Sequence, residues 1–397
     1  MRHSGHPQRR DPELSDDEIK PIDEPKGKQT SMPKQTHPES EALKLRSLEI
    51  VNYKKLDSLK IEFPPPKMAG DLDIMVLGSK NGGGKTSVLE CSSLLFFSSQ
   101  FSERHIERFI DPESFIDLGG LLIKSGEKTA TISGVFSKGG DTCAVKVVIR
   151  TNGGIEPSSS GSTKILQQQS NRLLSPDSLG QSLASLLSFS GEPLIIPPLL
   201  HFNSYRKVQE GNPELGMMAE DYPLRRGRFI RRGVAPVYSA VSAFKIEVLR
   251  SMMGKASLFE GFEEEESKAI LQQLNDLLKR YAGGGIEKLR PLPDNKIDFR
   301  VSAGDHLGNS FTFDGLSSGQ KEIISTLFLI WRHSQTLPTI VLIDEPELHL
   351  NAEWHSDFIQ QIQKLAPHNQ YIVATHSEQI FRSVDENRRA VLLPAKA

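Results

Sequence analysis

The sequence has little cysteine and no long run of apolar residues, and each absence excludes a class of protein. Its 397 residues include only two cysteines, Cys91 and Cys143, which lie far apart and in no Cys/His pattern. This excludes a disulfide framework and disfavours a zinc site. The longest apolar runs, such as 194–200 and 340–343, are too short to cross a bilayer, and the N-terminus has no apolar signal core. We therefore predict a cytoplasmic protein without a membrane partner.

A strong charge of one sign is also missing. The formal net charge is −2 and the sequence pI is near 6.6, so there is no overall basic field for nucleic acid. The dense basic cluster consists of five arginines: Arg225, Arg226, Arg228, Arg231 and Arg232. These side chains could contact the phosphates of DNA or an acidic partner, or they could form a solvated loop that pairs with the acidic residues 263–266. Both interpretations stay open.

Composition divides the chain into four segments. Residues 1–42 are polar and poor in large apolar side chains, which predicts a disordered tail. Residues 43–150 contain alternating apolar and polar runs, which predict strands, and residues 301–397 alternate helical and strand patterns, as in a wound parallel sheet. Residues 151–300 are predicted to form an insertion that is partly flexible and partly helical, with its helical section from about 235 to 282.

The first of the two sheet-forming segments begins with a predicted hairpin. "LKLRSLEIVNYKKLDSLKIEF" has two alternating runs separated by residues 53–55. A strand, "LDIMVLG", and a helix, "TSVLECSSLLFF", follow on either side of a glycine-rich loop. Three further β-like runs, "GLLIKSG", "TATISGVF" and "TCAVKVVIR", predict an antiparallel sheet that ends near residue 150.

The glycine-rich loop has the context of a phosphate-binding loop, since it follows a predicted strand and opens a predicted helix. Glycines allow successive backbone N–H groups to turn towards a polyanion, and the positive end of the helix assists them. Lys85 would reach the β- and γ-phosphates, and the Thr86 hydroxyl would bind Mg²⁺. The strict pattern needs glycine where Ser79 stands, with Gly78 just before it. The predicted nucleotide-binding residues here are Ser79, Lys80, Asn81, Gly82, Gly83, Gly84, Lys85, Thr86 and Ser87.

Two carboxylates follow the apolar run 340–343. A buried strand would deliver Asp344 and Glu345 at its carboxyl end, where α/β sheets place their ligands. Asp344 would hold Mg²⁺ through water, and Glu345 would act as the general base that polarises the attacking water. An apolar strand that ends in two acids is common, but together with the loop at 79–86 it predicts a phosphate site.

A histidine ends the next apolar strand. His376 follows Glu345 by 31 residues, at the tip of the predicted neighbouring strand. From there it could hydrogen-bond the γ-phosphate and report its presence. A histidine at a strand end is more often structural, but this spacing favours the sensor role.

A second anion-binding surface precedes the two carboxylates. Ser317, Ser318, Gly319 and Gln320 begin a predicted helix with a serine N-cap. One domain needs only one phosphate loop, so the second surface is explained if it binds the γ-phosphate held by another subunit. This predicts that two heads sandwich two ATP molecules.

With these motifs in this order, residues 43–393 resemble the ABC-type ATPase superfamily, in the branch that contains RecF, the SMC proteins and the OLD-like ATPases. The opening "LKLRSLEIVNYKKLDSLKIEF" resembles the first strands of RecF- and SMC-type heads, and "DEPELHL" and "HFNSYR" resemble segments of OLD-like proteins. The resemblance implies an α/β ATPase head: a mixed sheet with an N-terminal antiparallel β subdomain, a parallel phosphate-loop core and a helical insertion. The family's glutamine loop has two candidates, Gln100 and the run 167–169, and neither sits in a recognisable motif.

The resemblance also implies a function. Long coiled coils, as in SMC proteins, are not indicated, and only 21 residues follow His376, too few for the nuclease domain of OLD-like proteins. We therefore expect an ATPase that uses ATP and Mg²⁺, forms a homodimer or higher homo-oligomer, and gates a separate effector, as ATPase subunits of anti-phage systems do. The alternative is a RecF-like repair ATPase that binds DNA. A transporter motor is disfavoured by the spacing of 232 positions from Lys85 to Ser317 and by "DEPELHL".

Overall fold

The fold is given by a computed structural model that describes residues 42–392 apart from several gaps. The gaps are residues 69, 79–81, 100–117, 153, 167–185, 187–192, 209, 214–241, 256–263, 294–295, 304–309 and 336. All described residues lie in one of the chain's two units, residues 37–397. The predicted disordered tail falls outside the described residues except for Ala42. Within the described ranges, every helix is too short or too polar to span a membrane.

The N-terminal half builds a five-stranded antiparallel sheet in the order β2-β1-β4-β5-β6. Its strands are β1 (Lys44–Tyr53), β2 (Leu56–Glu62), β4 (Thr129–Lys138), β5 (Asp141–Arg150) and β6 (Ile155–Gly161). Along β4 and β5 buried and more exposed positions alternate, as expected when one sheet face packs on a core. The tight β1–β2 turn pairs Tyr53 with Leu56, so the predicted hairpin is confirmed.

One predicted strand in this region is wrong. The start of "GLLIKSG" forms a short helix, α2 (Leu118–Leu122), and only Ile123 makes an isolated bridge, to Tyr53. A side chain at Gly119 would meet the Thr151 carbonyl at 2.5 Å, so close backbone packing, which the sequence does not reveal, fixes the conformation here. A short apolar run does not by itself distinguish a strand from a helical turn.

A six-stranded sheet forms the core, in the order β14-β3-β13-β12-β8-β7. Its strands are β3 (Asp73–Gly78), β7 (Leu194–Ile196), β8 (Leu199–Phe202), β12 (Ile340–Asp344), β13 (Gln370–Thr375) and β14 (Arg389–Val391). All neighbours are parallel except β7 and β8. Every residue of β12 and β13 is buried, because helices and the second sheet cover both faces. Residues 194–202 thus belong to the core sheet, although they lie within the segment that was predicted to be an insertion.

Helix α1 (Lys85–Ser99) packs against strands of both sheets. Residues 88–98 are all buried, Glu90 and three serines among them, so the helix has almost no solvent face. Its side chains join one large core with the inward face of the antiparallel sheet. The helix therefore fixes the glycine-rich loop, which ends where α1 begins, relative to both sheets.

The opposite face of the core sheet carries the remaining helices and a small sheet. The helices are α3 (Ala243–Lys255), α4 (Glu264–Ala282), α5 (Ser318–His333), α6 (Ala352–Leu365) and α7 (Glu378–Arg382). The small sheet has the order β11-β10-β9, with β9 (Gly284–Pro291), β10 (Ile297–Ala303) and β11 (Ser310–Thr312). Together they bury a second apolar core. The predicted α/β class, with an antiparallel subdomain, a parallel core and inserted helices, is confirmed.

A side-chain amide joins the two larger sheets. Gln370, at the start of β13, is buried, and its Oε1 accepts the Leu45 backbone N–H at 2.7 Å while its Nε2 donates to the Leu45 carbonyl at 2.8 Å. Beside it Arg46 donates to Asp73, the first residue of β3, at 3.0 Å. Both polar groups of one β1 residue are thereby satisfied by a side chain of the core sheet.

A buried histidine in the core sheet makes stability depend on pH. His201 of β8 lies with Nδ1 2.9 Å from Ser93 Oγ, and burial lowers its pKa from 6.5 to about 4. The folded chain therefore stays unprotonated where the unfolded chain takes up a proton, so the free energy of unfolding falls as the pH drops below 6.5. Between pH 7 and 4.5 this residue should account for a loss of about 2 kcal/mol. Urea unfolding of wild type and His201→Asn at both pH values checks this, and an equal pH dependence of the two proteins would contradict it.

Candidate functional site

The candidate site lies at the carboxyl edge of the core sheet, where neighbouring parallel strands end. The loop that leads into α1 follows β3, the two acids follow β12, and His376 follows β13. The predicted phosphate loop is described from Gly82 onward, and Ser79, Lys80 and Asn81 lie outside the described residues. The carboxyl ends of three adjacent strands thus bring the predicted groups to one place.

These groups line a cavity of about 400 Å³. Its walls are Lys54, Lys55, Gly82, Gly83, Gly84, Lys85, Thr86, Ser87, Glu345 and His376. Gly84 has a φ of +86°, and a side chain there would lie 2.6 Å from Leu56, so the β1–β2 turn packs directly on the loop. The two lysines of that turn were not predicted as site residues; their place beside the loop depends on this packing.

Lys85, His376 and Glu345 form a contact cluster in the cavity. Lys85 Nζ lies 2.8 Å from His376 Nε2. His376 Nε2 in turn lies 3.3 Å from Glu345 Oε1. Burial lowers the pKa of Lys85, while Glu345, Asp344 and then Glu347 act in the opposite direction. The three residues predicted to be catalytic are therefore neighbours, with a cation, an imidazole and a carboxylate within reach of one bound group.

The two residues predicted to hold metal are also adjacent. Thr86 Oγ1 donates to Asp344 Oδ2 at 2.8 Å, and the other carboxylate oxygen, Oδ1, is buried with no hydrogen-bond partner among the described residues. Burial raises the pKa of Asp344 to about 6, against the lowering effect of the Thr86 hydrogen bond. A hydroxyl and a carboxylate, one of whose oxygens lacks a partner, fit Mg²⁺, which takes oxygen ligands.

The chain turns sharply after β12. Glu345 and His349 have φ values of +47° and +64°, a left-handed conformation that is uncommon for residues other than glycine. Between them Glu347 accepts hydrogen bonds from Thr375 Oγ1 (2.8 Å) and from the backbone N–H groups of His376 (2.5 Å) and Ser377 (3.1 Å). Glu347 therefore holds the loop that carries His376. We do not predict this role from the sequence, although the second glutamate of "DEPELHL" was its signal.

Residues 317–320 begin α5 with a capping box. Ser317 Oγ accepts the Gln320 N–H at 3.3 Å, and Gln320 Oε1 accepts the Ser317 N–H at 3.0 Å, as the serine N-cap predicted. A side chain at Gly319 would lie 2.2 Å from the His349 carbonyl, so the helix start sits against the turn after Glu345. No residue of 317–320 lines the 400 Å³ cavity. The structure thus separates this surface from the cavity of the same head.

Strand β8 lies beside β12 and ends in the segment that continues to Arg206. Arg206 is buried against the backbone of Asp344 and Glu345, a contact that the sequence reasoning missed, although "HFNSYR" had been singled out. The glutamine candidates Gln100 and 167–169 lie outside the described residues, as does the arginine cluster of residues 225–232. Of the acidic run 263–266, Glu266 pairs with Arg332 of α5 at 3.0 Å.

Comparison with known proteins gives one family match. Residues 219–382 match a family model described as "AAA domain, putative AbiEii toxin, Type IV TA system". The matched segment contains residues 317–320, Asp344, Glu345 and His376, and begins after the phosphate loop.

Two curated relatives match parts of the chain. The chain is 35% identical over 80 residues to "Retron Ec83 probable ATPase" of Escherichia coli. The matched segment covers 18% of this chain and 15% of that protein. It is 30% identical over 123 residues to "Retron Vc95 probable ATPase" of Vibrio cholerae serotype O1 biovar El Tor, which covers 27% of this chain and 24% of that protein. The matches thus span less than a quarter of the length of either relative.

Solved structures of SMC heads are similar over most of the chain. An SMC head bound to the C-terminal winged-helix domain of ScpA has a TM-score of 0.49 at 15% identity and covers 86% of this chain and 92% of that one. The SMC head domain from Thermotoga maritima has a TM-score of 0.41 at 14% identity, and the match covers 89% of this chain and 99% of that one.

Proposed function

We propose that this chain, an ABC/AAA-type ATPase of the RecF/SMC-like branch related to the retron ATPases, binds and hydrolyses ATP between two paired heads. The observation that supports the proposal is that the two surfaces predicted to bind anions lie apart on one head. The cavity holds the phosphate loop, Glu345 and His376, whereas residues 317–320 lie outside it. Each cavity would be completed by residues 317–320 of the other head, so that two heads enclose two ATP molecules.

The roles within the cavity follow from the contacts. The Lys85 ammonium would bind the β- and γ-phosphates, and His376, now 2.8 Å from Lys85, would hydrogen-bond the γ-phosphate. Thr86 and Asp344 would hold Mg²⁺, which neutralises phosphate charge when bound. Glu345 would orient the attacking water and accept its proton. The glycine amides of the loop would surround the phosphate oxygens.

The proposed biological role is to gate a separate effector, in a defence system against phage. The two relatives named as retron probable ATPases are in line with it, because the sequence itself resembles ATPase subunits of anti-phage systems. The inserted helices contact the start of α5 and the turn before it: Gln320 Nε2 donates to the Tyr281 carbonyl at 2.9 Å, and Lys245 pairs with Asp314 of residues 313–315 at 2.5 Å. Helices α3 and α4 would thus respond when residues 317–320 engage a second head. DNA repair remains the alternative, and it depends on the arginines of residues 225–232.

Mixing two inactive variants tests the composite site. Lys85→Ala removes the phosphate-loop lysine, and Ser317→Arg places a bulky cation where the other head's ATP would enter. Each protein alone should be inactive. A mixed pair contains one site with both lesions and one site with neither, so an equimolar mixture should recover about a quarter of wild-type turnover. Phosphate release, measured at concentrations where the heads pair, gives the result.

The matched control combines two lesions from the same half of the site. Lys85→Ala and Glu345→Gln both alter the phosphate-loop side, so their mixture cannot regenerate an intact site and should stay inactive. If the first mixture shows no recovery although both variants fold and mix into pairs, the composite site is refuted. Recovery in the control mixture would refute it equally.

A further inference from the structure

A buried arginine joins three elements of the head. Arg206 lies four residues after the end of β8, with 6% of its surface exposed. Its Nη1 donates to the carbonyls of Asn203 (3.0 Å) and Asp344 (2.6 Å), and its Nη2 donates to the Glu345 carbonyl at 3.0 Å. The same Nη2 lies 2.7 Å from Oε1 of Glu322. One guanidinium thus contacts the loop after β8, the end of β12 and a side chain of α5.

Glu322 connects this arginine to the helix that begins at residue 317. It lies three residues after Gly319, and 4% of its surface is exposed. Burial raises the pKa of its carboxyl group, and the neighbouring Arg206 cation, which favours the charged carboxylate, opposes that rise. Two buried charges of opposite sign stabilise one another, and each is costly alone, so a movement of α5 that separated Glu322 from Arg206 would be unfavourable. Beside the pair, a cavity of only about 20 Å³ leaves little room for either side chain to rearrange.

The arginine holds the backbone at a strained point. Glu345 has a φ of +47°, and its carbonyl and that of Asp344 both accept from Arg206. A left-handed conformation outside glycine persists where surrounding contacts impose it. The Arg206 bonds are such contacts, and they fix the direction in which the Glu345 side chain leaves the backbone.

We propose that Arg206 is a positioning residue that, through Glu322, couples α5 to the catalytic carboxylate of the same head. The inference rests on the proposed function, in which residues 317–320 bind the ATP of the partner head. Engagement of the helix start would then set the position of Glu345, so that a head becomes competent for hydrolysis when it is paired.

The geometry requires arginine rather than any cation. The planar guanidinium presents its N–H groups in a fixed fork, donates to three carbonyls and lies in ion-pair contact with the Glu322 carboxylate. A lysine ammonium is a single point charge at the end of a flexible stem, and it cannot hold all of these groups in the same arrangement. Arg206→Lys therefore keeps the charge but loses the geometry, whereas Glu322→Gln keeps an acceptor but loses the ionic link to α5.

The experiment measures turnover and ATP affinity separately in Arg206→Lys and Glu322→Gln. Each should lower kcat about 100-fold, because a small misplacement of a catalytic group has an effect of this size. The Kd for a fluorescent ATP analogue should stay within about threefold of wild type, since the phosphate loop is untouched. Arg46→Lys is the matched control: Arg46 also donates to a carboxylate and a carbonyl, but at the amino end of β3, and its turnover should be unchanged.

The outcomes separate this inference from the function on which it rests. A wild-type protein that binds no ATP or hydrolyses none refutes the proposed function. An active wild type with both variants within about threefold of its kcat refutes the coupling alone. Equal losses of affinity and turnover, or the same loss in Arg46→Lys, would show a merely structural role and refute it too. If Arg206→Lys fails to fold, the kcat of Glu322→Gln decides.

Discussion

Glu345→Gln is expected to lower the steady-state turnover of ATP about 1,000-fold, because an amide cannot accept the proton of the attacking water. Affinity for ATP should be retained, since Lys85 and Thr86, which would bind the phosphates and the metal, are unchanged. The paired state should then accumulate, because hydrolysis would no longer release it. Single-turnover measurements of phosphate release and light scattering with and without ATP test the two expectations.

The control for this substitution is Glu353→Gln. Glu353 is an exposed acid in the first turn of α6 and does not line the cavity, so its loss should change turnover less than about twofold. Wild-type turnover in Glu345→Gln would show that another group is the base. The same variant also tests the gating role: purified together with its natural neighbours and ATP, it should retain the effector that the ATP-free protein does not.

Lys85→Ala is expected to weaken ATP binding at least about 100-fold and to abolish turnover as a consequence. The lysine is 5% exposed and faces the carboxylates of Glu345 and Asp344. Without its ammonium, a triphosphate would enter a cavity whose acids repel it. Isothermal titration with ATP and Mg²⁺ measures the loss.

A second lysine of the cavity provides the comparison. Lys55 lines the same space but is exposed, so Lys55→Ala should weaken binding no more than about fivefold, since water screens exposed charges. Equal effects of the two substitutions would mean that overall charge, rather than a specific phosphate contact, governs binding. Unchanged affinity in Lys85→Ala would exclude this cavity as the ATP site.

The sequence predicts the elements that depend on local patterns. The alternation on both sides of residues 53–55 corresponds to the β1–β2 hairpin, and the alternating helical and strand patterns of residues 301–397 correspond to α5, β12, α6 and β13. Helix α5 begins at the predicted serine cap. The residues at the strand ends can be predicted for the same reason, because a glycine-rich loop and acids after an apolar run are short sequence patterns. Parallel strands then bring these residues together at one edge of the sheet.

The features that the sequence does not predict depend on contacts between distant segments. Strand β8 has four residues, and only its parallel pairing with β12 identifies it as part of the core. Arg206 and Glu322 are 116 positions apart, and Glu347 reaches residues about 30 positions later, so nothing local indicates their partners. In the run around Gly119, a backbone contact with Thr151 overrides the β-like pattern. Packing decided each of these positions.

The side chain of Gln370 acts as one extra rung between β1 and β13, because its amide satisfies both backbone groups of Leu45. Sheets joined in this way open together, as one cooperative unit of the kind that native-state hydrogen exchange reveals. The Leu45 amide should therefore exchange as slowly as the amides of the core strands. Slow exchange there, together with faster exchange in α3 and α4, would assign the movement that nucleotide binding is proposed to cause to the helical face of the head.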